Sequence, residues 1–339
     1  MKIKLIKIVI FQALIILILA AALVYRNFDN VNPENAVKPQ SSTNPLLSPR
    51  IDAGVLKPRS FLISNFDPLE SGISSFLNKY NLTASVYVEN LRNGVNFGIN
   101  EKKGYFPASL NKLPVAVVVL QEVEDKKLKL TDTLPIHDYE KASTSGELYK
   151  TDAKEASVKF LLEKMVKESD NTAFNVLYDY IDNKDLGLLL NYYGIKINLD
   201  YPVRKPEFAE YTDTVTPISI YNFFSSLYLS TVLNPQDSQY LLSLLADSDF
   251  DIKKLAGLPD NVTIAQKWGA YYTNDSKFFH DCGIMYIGQS RIFYCIMTRD
   301  LDVQSAEKVM SILVKSVYVY VTEERAKLDE YKKNIQNTT

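Results

Sequence analysis

The chain has 339 residues, 46% of them hydrophobic, and its 38 basic and 40 acidic side chains give a net charge of -2 at pH 7. This composition is sufficient for a sizeable core, and the near balance of charge gives no electrostatic reason to expect binding to nucleic acid. Only two histidines occur, His137 and His280, whereas catalytic zinc sites usually take two or three histidine ligands. We therefore expect neither a metal nor another cofactor.

The first 60 residues do not have the pattern of a packed domain. Residues 1–7 contain three lysines and form a predicted cytoplasmic tail, while residues 8–25 are apolar except for Gln12. Eighteen helical residues span about 27 Å, so an uncleaved transmembrane anchor is predicted, with a cleaved signal peptide as the alternative. Residues 26–60 contain five prolines among polar residues and predict an extended linker.

With either an anchor or a signal peptide, the rest of the chain is expected to be exported. With an uncleaved anchor the protein is a single-pass protein of the cell membrane, its domain on the extracytoplasmic side, because the lysines before the apolar run stay in the cytoplasm. With a cleaved signal peptide the protein is secreted. The exported domain is predicted over residues 61–333.

The pattern within that domain predicts strands towards both ends and helices in the middle. Apolar residues at helical spacing predict a helix over 67–79, and the Asn93-Gly94 turn predicts a hairpin of strands 83–88 and 95–99. Further helices are predicted over 110–123, 158–167 and 173–181, strands over 264–270, 282–287 and 291–298, and a closing helix over 305–332. We expect an α/β (α+β) fold with an antiparallel sheet built from both ends of the domain.

The two cysteines flank the last predicted hairpin. A two-residue turn at Gly288-Gln289 pairs Cys282 with Cys295 directly across the two strands. Outside the cytoplasm a disulfide is possible at such a pair. A cross-strand disulfide and two buried free thiols are both open alternatives.

Three short motifs follow one another along the domain: Ser109–Lys112 (S-L-N-K), Ser169–Asn171 (S-D-N) and Lys267–Ala270 (K-W-G-A). In the first, a lysine three residues after a serine lies one helical turn away on the same face. A serine hydroxyl is a poor nucleophile until a base takes its proton, so Ser109 is a candidate nucleophile and Lys112, if neutral, its candidate base. Each motif alone also has a structural explanation, such as capping of a helix by residues 169–171.

Together, in this order and at these separations, the motifs resemble the S-x-x-K, S-D-N and K-[T/S]-G set of class A β-lactamases and their penicillin-binding relatives. The resemblance covers roughly residues 66–325. It implies the β-lactamase/transpeptidase-like fold, with helices on the faces of the sheet and a helical subdomain. It also implies that Ser169 passes a proton to the leaving nitrogen and that Asn171 hydrogen-bonds the substrate amide.

The third motif carries the implied substrate contacts and one departure from the family pattern. The resemblance implies that Lys267 binds the substrate carboxylate, that Gly269 permits close backbone approach and that Ala270 donates an oxyanion N–H. Trp268 stands where Thr or Ser is usual. It removes a hydroxyl that helps to hold the carboxylate and adds a large ring, so a different substrate shape is expected.

The loop that clears the acyl-enzyme in class A enzymes also departs from the pattern. Residues 211–217 resemble the end of that loop, but alignment on Pro-Glu-Phe puts Lys205 where those enzymes have the water-activating Glu. Glu207 is the leading substitute, with Glu210 nearby and Asp200 a weaker candidate. The acylation machinery is therefore predicted to be complete and the deacylation machinery altered.

The leading hypothesis is a membrane-tethered, monomeric serine hydrolase that opens β-lactam amides through an acyl-enzyme on Ser109. The first alternative is a penicillin-binding D,D-peptidase-like protein that acts on peptidoglycan stem peptides and deacylates slowly. The second is a non-catalytic ectodomain that binds the cell wall or β-lactams. The expected partners are thus a β-lactam or a stem peptide, and the membrane.

Overall fold

A five-stranded antiparallel sheet forms the centre of the computed structural model, which describes residues 65–197 and 214–336. In chain order the strands are β1 (Ala84–Asn90), β2 (Asn96–Ile99), β3 (Thr133–Pro135), β4 (Glu155–Ser157), β5 (Thr263–Tyr272), β6 (Lys277–Ile287) and β7 (Ser290–Arg299). The order across the sheet is β2-β1-β7-β6-β5, and β3 pairs with β4 in a separate ribbon. Because β1 pairs with β7, the prediction of a sheet built from both ends of the domain is confirmed.

Nine helices are described. They are α1 (Asp67–Lys79), α2 (Lys112–Glu124), α3 (Val158–Lys167), α4 (Asn171–Tyr180), α5 (Asn183–Tyr193), α6 (Pro217–Tyr228), α7 (Pro235–Ala246), α8 (Ile252–Leu255) and α9 (Val303–Gln336). The predicted bounds of α1 and α3 match those in the structure. Among the described residues, no helix is long and apolar enough to cross a bilayer. The predicted tail, anchor and linker lie outside the described residues.

Helices α5, α6 and α7 were not predicted from the sequence, although each begins at a recognisable cap. The side chains of Asp182, Thr216 and Asn234 accept backbone N–H bonds at the three N-termini. Proline occupies the first position of α6 and α7, and α5 ends at Gly194 in the left-handed conformation. These signals mark helix ends even where the apolar periodicity is weak.

The sheet separates two apolar layers because successive strand residues point to opposite faces. Along β1, Val86 and Val88 belong to the layer under α1 and α9, whereas Tyr87 belongs to the layer under the central helices α2, α4 and α6. The same alternation holds on β7, where Tyr294 and Cys295 lie on opposite sides. The three motifs meet on the side of the central helices.

The β6–β7 hairpin resolves the alternative left open for the cysteines. Ile287 pairs with Ser290, so the turn has the predicted two residues, and Cys282 lies directly opposite Cys295. The two side chains form a disulfide. The cross-strand disulfide is thus the alternative found in the structure.

Candidate active site

Ser109 lies in a short 3-10 turn, Ala108–Asn111, that leads directly into α2. The backbone enters this turn through Ala108, whose φ of 47° is in the left-handed region. That conformation costs a residue with a β-carbon about 1–2 kcal/mol. The predicted helix therefore begins with a strained 3-10 turn, and Ser109 precedes the first α-helical residue by three positions.

Lys112 lies beneath Ser109 in the position that the S-x-x-K spacing implies. Its Nζ is 2.9 Å from Ser109 Oγ and 2.6 Å from Asn171 Oδ1. Burial lowers the pKa of Lys112 to about 7, although the nearby charge of Asp170 acts in the opposite direction. The amine is therefore neutral in a large share of molecules at neutral pH and is placed to accept the hydroxyl proton of Ser109.

Ser169 precedes α4 in a left-handed conformation, with a φ of 56°. Its side chain is buried, and its Oγ has no hydrogen-bond partner within the described residues. An unsatisfied buried hydroxyl costs about 1–3 kcal/mol, and groups of this kind are typical of sites that act on a ligand.

Lys267 is the second buried lysine, and it lies on β5. Its Nζ also lacks a hydrogen-bond partner in the part of the chain that the structure describes. Burial, followed by the charge of Lys112, lowers its pKa well below the ordinary value, while Asp249 and Asp281 raise it. An anionic group bound beside Lys267 would favour its protonated form.

The large ring of Trp268 lies away from the site, although the sequence suggested that it would change the shape of the accepted substrate. Its ring packs against Phe250 and Phe279, with ring centroids 5.2 Å and 6.0 Å away, in the layer under α9. The neighbouring Lys267 points to the opposite face because side chains alternate along a strand. The indole therefore packs in the layer on the other side of the sheet from Lys267.

Gly269 brings the backbone of β5 into contact with the Ser109 turn. A β-carbon on Gly269 would lie 2.9 Å from Ser109 N and 3.2 Å from Ala108 Cβ. The next residue, Ala270, is half-buried and continues the same strand. The backbone nitrogen of Ser109 thus lies close to the edge strand, and an oxyanion site between the two would need this proximity.

Asp170, the middle residue of the second motif, has a structural role that was not predicted from the sequence. Its carboxylate caps α4 by accepting Ala173 N–H at 2.9 Å, and it also accepts Leu148 N–H at 2.9 Å. Gly146 fits against it with a φ of 81°, and a β-carbon there would lie 2.0 Å from Asp170 Oδ2. An Asp directly before a helix is a recognisable cap, but its second bond depends on a loop 22 residues away in sequence.

The loop held by Asp170 also contacts Asn171. The backbone N–H of Asn171 donates to Ser145 O at 3.0 Å, and its Nδ2 donates to Thr144 Oγ1 at 2.6 Å. Thr144 is exposed, so this contact lies at the open side of the site. The Ser-Gly pair before Glu147 marks a turn in the sequence, but nothing local connects that turn with Asn171.

Glu207 and the other acids proposed for deacylation lie outside the described residues. The two ends of that segment are described: Lys196 and Thr214 form a backbone bridge, and Val215 pairs with Tyr105. Tyr105 is four residues before Ser109 in sequence. Val215, which follows this segment, therefore pairs with a residue that leads into the nucleophile turn.

Comparison with known proteins agrees with this arrangement. Residues 68–321 match the model of the family described as the β-lactamase enzyme family (Beta-lactamase2). A PBP-A variant solved as an acyl-enzyme complex with penicillin G is 22% identical, with a TM-score of 0.67 over 76% of this chain and 97% of that one. The TLA-3 extended-spectrum β-lactamase is 20% identical, with a TM-score of 0.69 over 76% of this chain and 99% of that one.

A β-lactamase from Chitinophaga pinensis is also 20% identical, with a TM-score of 0.64 over 74% of this chain and 98% of that one. At these identities the solved structures support the fold, while the family match extends over most of the described domain. The chain belongs to the β-lactamase enzyme family.

Proposed function

We propose that the protein opens β-lactam amides through an acyl-enzyme on Ser109. The observation that carries this proposal is the 2.9 Å contact between Ser109 Oγ and the buried amine of Lys112. Burial brings the pKa of that amine to about 7, which suits a general base at neutral pH. The acyl-enzyme that a PBP-A variant forms with penicillin G supports the substrate class.

In the proposed reaction, neutral Lys112 takes the proton of Ser109 as Oγ attacks the β-lactam carbonyl carbon. The carbonyl oxygen becomes an oxyanion that accepts hydrogen bonds from the backbone N–H groups of Ser109 and Ala270. The carbon–nitrogen bond then breaks, and Ser169 gives its hydroxyl proton to the departing nitrogen while it takes up the proton that Lys112 accepted. Asn171 holds the substrate amide, and Lys267 attracts the substrate carboxylate.

Hydrolysis of the resulting ester needs an activated water, and this step separates the two candidate functions. A β-lactamase clears the ester with Glu207 as the base in place of the usual Glu. The second candidate, a D,D-peptidase-like penicillin-binding protein, is favoured by Lys205 at that position, because a lysine there does not supply the carboxylate base. Such a protein stays acylated by β-lactams and acts on peptidoglycan stem peptides.

The location proposed for this chemistry follows from the N-terminal sequence. Residues 8–25 anchor the monomeric protein in the cell membrane, and residues 26–60 hold the domain on the extracytoplasmic side. Peptidoglycan and β-lactams are both encountered in that space. The proposal is checked by separating membranes from soluble protein and by protease protection of residues 1–7.

The activity is tested by a pulse and chase with a fluorescent penicillin on the full-length chain, with Ser109→Ala as the control. Intact-mass measurements follow the adduct over time. An adduct on Ser109 that clears within minutes identifies a β-lactamase, and Glu207→Gln is then expected to trap it. An adduct that persists for hours identifies the penicillin-binding candidate, whereas no adduct with any β-lactam leaves only a non-catalytic binding role.

A further inference from the structure

His280 contacts the residues that lead into the Ser109 turn, although it takes no part in the acyl transfer described above. In the pairing of β5 with β6 it lies directly opposite Gly269. Directly opposed residues of an antiparallel pair point to the same face of the sheet. Gly269 therefore lies against the Ser109 turn, while His280, on the adjacent strand, lies against the residues that lead into it.

The hydrogen bond of His280 determines which ring nitrogen carries the hydrogen. Its Nε2 is 2.8 Å from the carbonyl oxygen of Phe106, which can only accept, so Nε2 is the donor. Burial lowers the pKa of His280 to about 4, so the ring is neutral at neutral pH.

The residues that lead into the turn are held from three directions. The Tyr105 ring meets the His280 ring edge to face at 5.6 Å, and its hydroxyl is 2.9 Å from Ser85 Oγ. Its backbone N–H donates to Val215 O at 2.9 Å. The His280 bond adds a fixed point one residue later, at Phe106.

Only Pro107 and Ala108 separate the Phe106 carbonyl from Ser109. The proline ring limits φ, and Ala108 has the strained φ of 47°. A non-glycine residue keeps such a conformation only where the surrounding structure enforces it. The fixed carbonyl of Phe106 on one side and the backbone of Gly269 on the other supply that constraint.

We propose that His280 is a positioning residue for Ser109. By holding the carbonyl of Phe106 it keeps the strained turn in place, which sets Ser109 Oγ at the amine of Lys112 and the backbone nitrogen of Ser109 beside Gly269. The expected effect on the acylation rate rests on the proposed acyl transfer, whereas the expected effect on the conformation of the turn does not. A histidine that only filled the core would affect stability without this specific effect on the turn.

The test compares His280→Leu, which removes the donor, with His280→Gln, whose amide can reach the same carbonyl. Met285→Ala serves as the control because Met285 is buried on the same strand but in the layer under α9. Stopped-flow acylation of the full-length chain by fluorescent penicillin gives the rate constant and the dissociation constant of the initial complex. Melting temperatures are measured in parallel.

We expect His280→Leu to lower the acylation rate constant about 10–100-fold with little change in the dissociation constant, because a displacement of about 1 Å has effects of this size. His280→Gln is expected to restore most of the rate. Met285→Ala is expected to lower the melting temperature and to keep the rate. A rate that followed the melting temperature in all three variants would overturn the proposal.

Amide hydrogen exchange supplies a measurement that needs no substrate. The N–H groups of Ser109 and Leu110 are expected to exchange faster in His280→Leu, but not in His280→Gln or Met285→Ala. Unchanged exchange in His280→Leu would contradict the positioning role whatever the kinetics. If the unmodified chain forms no adduct on Ser109, the proposed function fails, and the exchange data alone decide the role of His280.

Discussion

The α-carbon of Gly269 and the backbone nitrogen of Ser109 face each other with no room for a side chain between them. A β-carbon on residue 269 would lie 2.9 Å from Ser109 N and 3.3 Å from Leu110 N. Both neighbours are backbone atoms, so neither can move aside without moving the turn. The edge strand and the nucleophile turn are therefore coupled through the backbone.

Gly269→Ala is expected to lower the acylation rate constant about 100-fold or more, because the added methyl group pushes the Ser109 turn away from β5. The measurement is stopped-flow acylation by fluorescent penicillin. Gly72→Ala is the matched control, since Gly72 lies in α1 with nothing within 4 Å of the added carbon. That control should keep the rate and stabilise the fold by about 0.5–1 kcal/mol. Equal rates in both variants would disprove the coupling.

The acylation rate should depend on pH through Lys112. Because only the neutral amine can accept the proton of Ser109, the rate constant is expected to rise with pH through about 7 and then level off. Lys112→Arg, which stays charged, should abolish the reaction. The profile is measured by stopped-flow acylation between pH 5 and 9, and a flat profile would exclude Lys112 as the base.

The same residue is expected to affect the free energy of unfolding. The pKa of Lys112 is about 7 in the folded chain and near 10.5 in the unfolded chain, so between these values the unfolded chain binds more protons and stability increases with pH. Lys112→Met removes this cost and should stabilise the protein at pH 6 by a few kcal/mol, on the order of 1.4 kcal/mol per pKa unit. Urea unfolding at pH 6 and pH 9.5 checks this, and a destabilised variant at pH 6 would contradict it.

Asp170 should contribute more to the free energy of unfolding than an ordinary helix cap does. Asp170→Ala removes the acceptor for two buried N–H groups, those of Ala173 and Leu148, and is expected to cost about 2–4 kcal/mol. Asp182→Ala is the control, because Asp182 caps α5 in an exposed position and should cost about 1 kcal/mol. Urea unfolding measures both, and similar losses in the two variants would argue against the second bond.

Thr144 competes with the substrate for Asn171 Nδ2, according to the proposed role of that amide. Thr144→Val removes the hydroxyl acceptor and should tighten the initial complex with penicillin about 2–10-fold, the range of one exposed hydrogen bond. Thr144→Ser keeps the acceptor and should behave like the unmodified chain. The dissociation constant from stopped-flow acylation decides the matter, and weaker binding in Thr144→Val would show that the hydroxyl helps to bind the substrate.

Much of the fold could be predicted from local patterns. The bounds of α3 and the β6–β7 turn agree with the sequence, since helical periodicity and turn chemistry act over a few residues. The Ser109–Lys112 contact also follows from one helical turn. The register of the hairpin even places Cys282 opposite Cys295, although the sequence left their oxidation open.

The contacts that complete the candidate site were decided by the tertiary structure. The bond from His280 to Phe106 joins residues 174 positions apart, and the bond from Asp170 to Leu148 joins a helix cap to a distant loop. The side chain of Trp268 points to the layer under α9 because of the pairing and alternation of β5 within the sheet. Periodicity and motif spacing identify the chemical groups, but their mutual positions depend on how strands and helices from different parts of the chain pack together, which no local pattern contains.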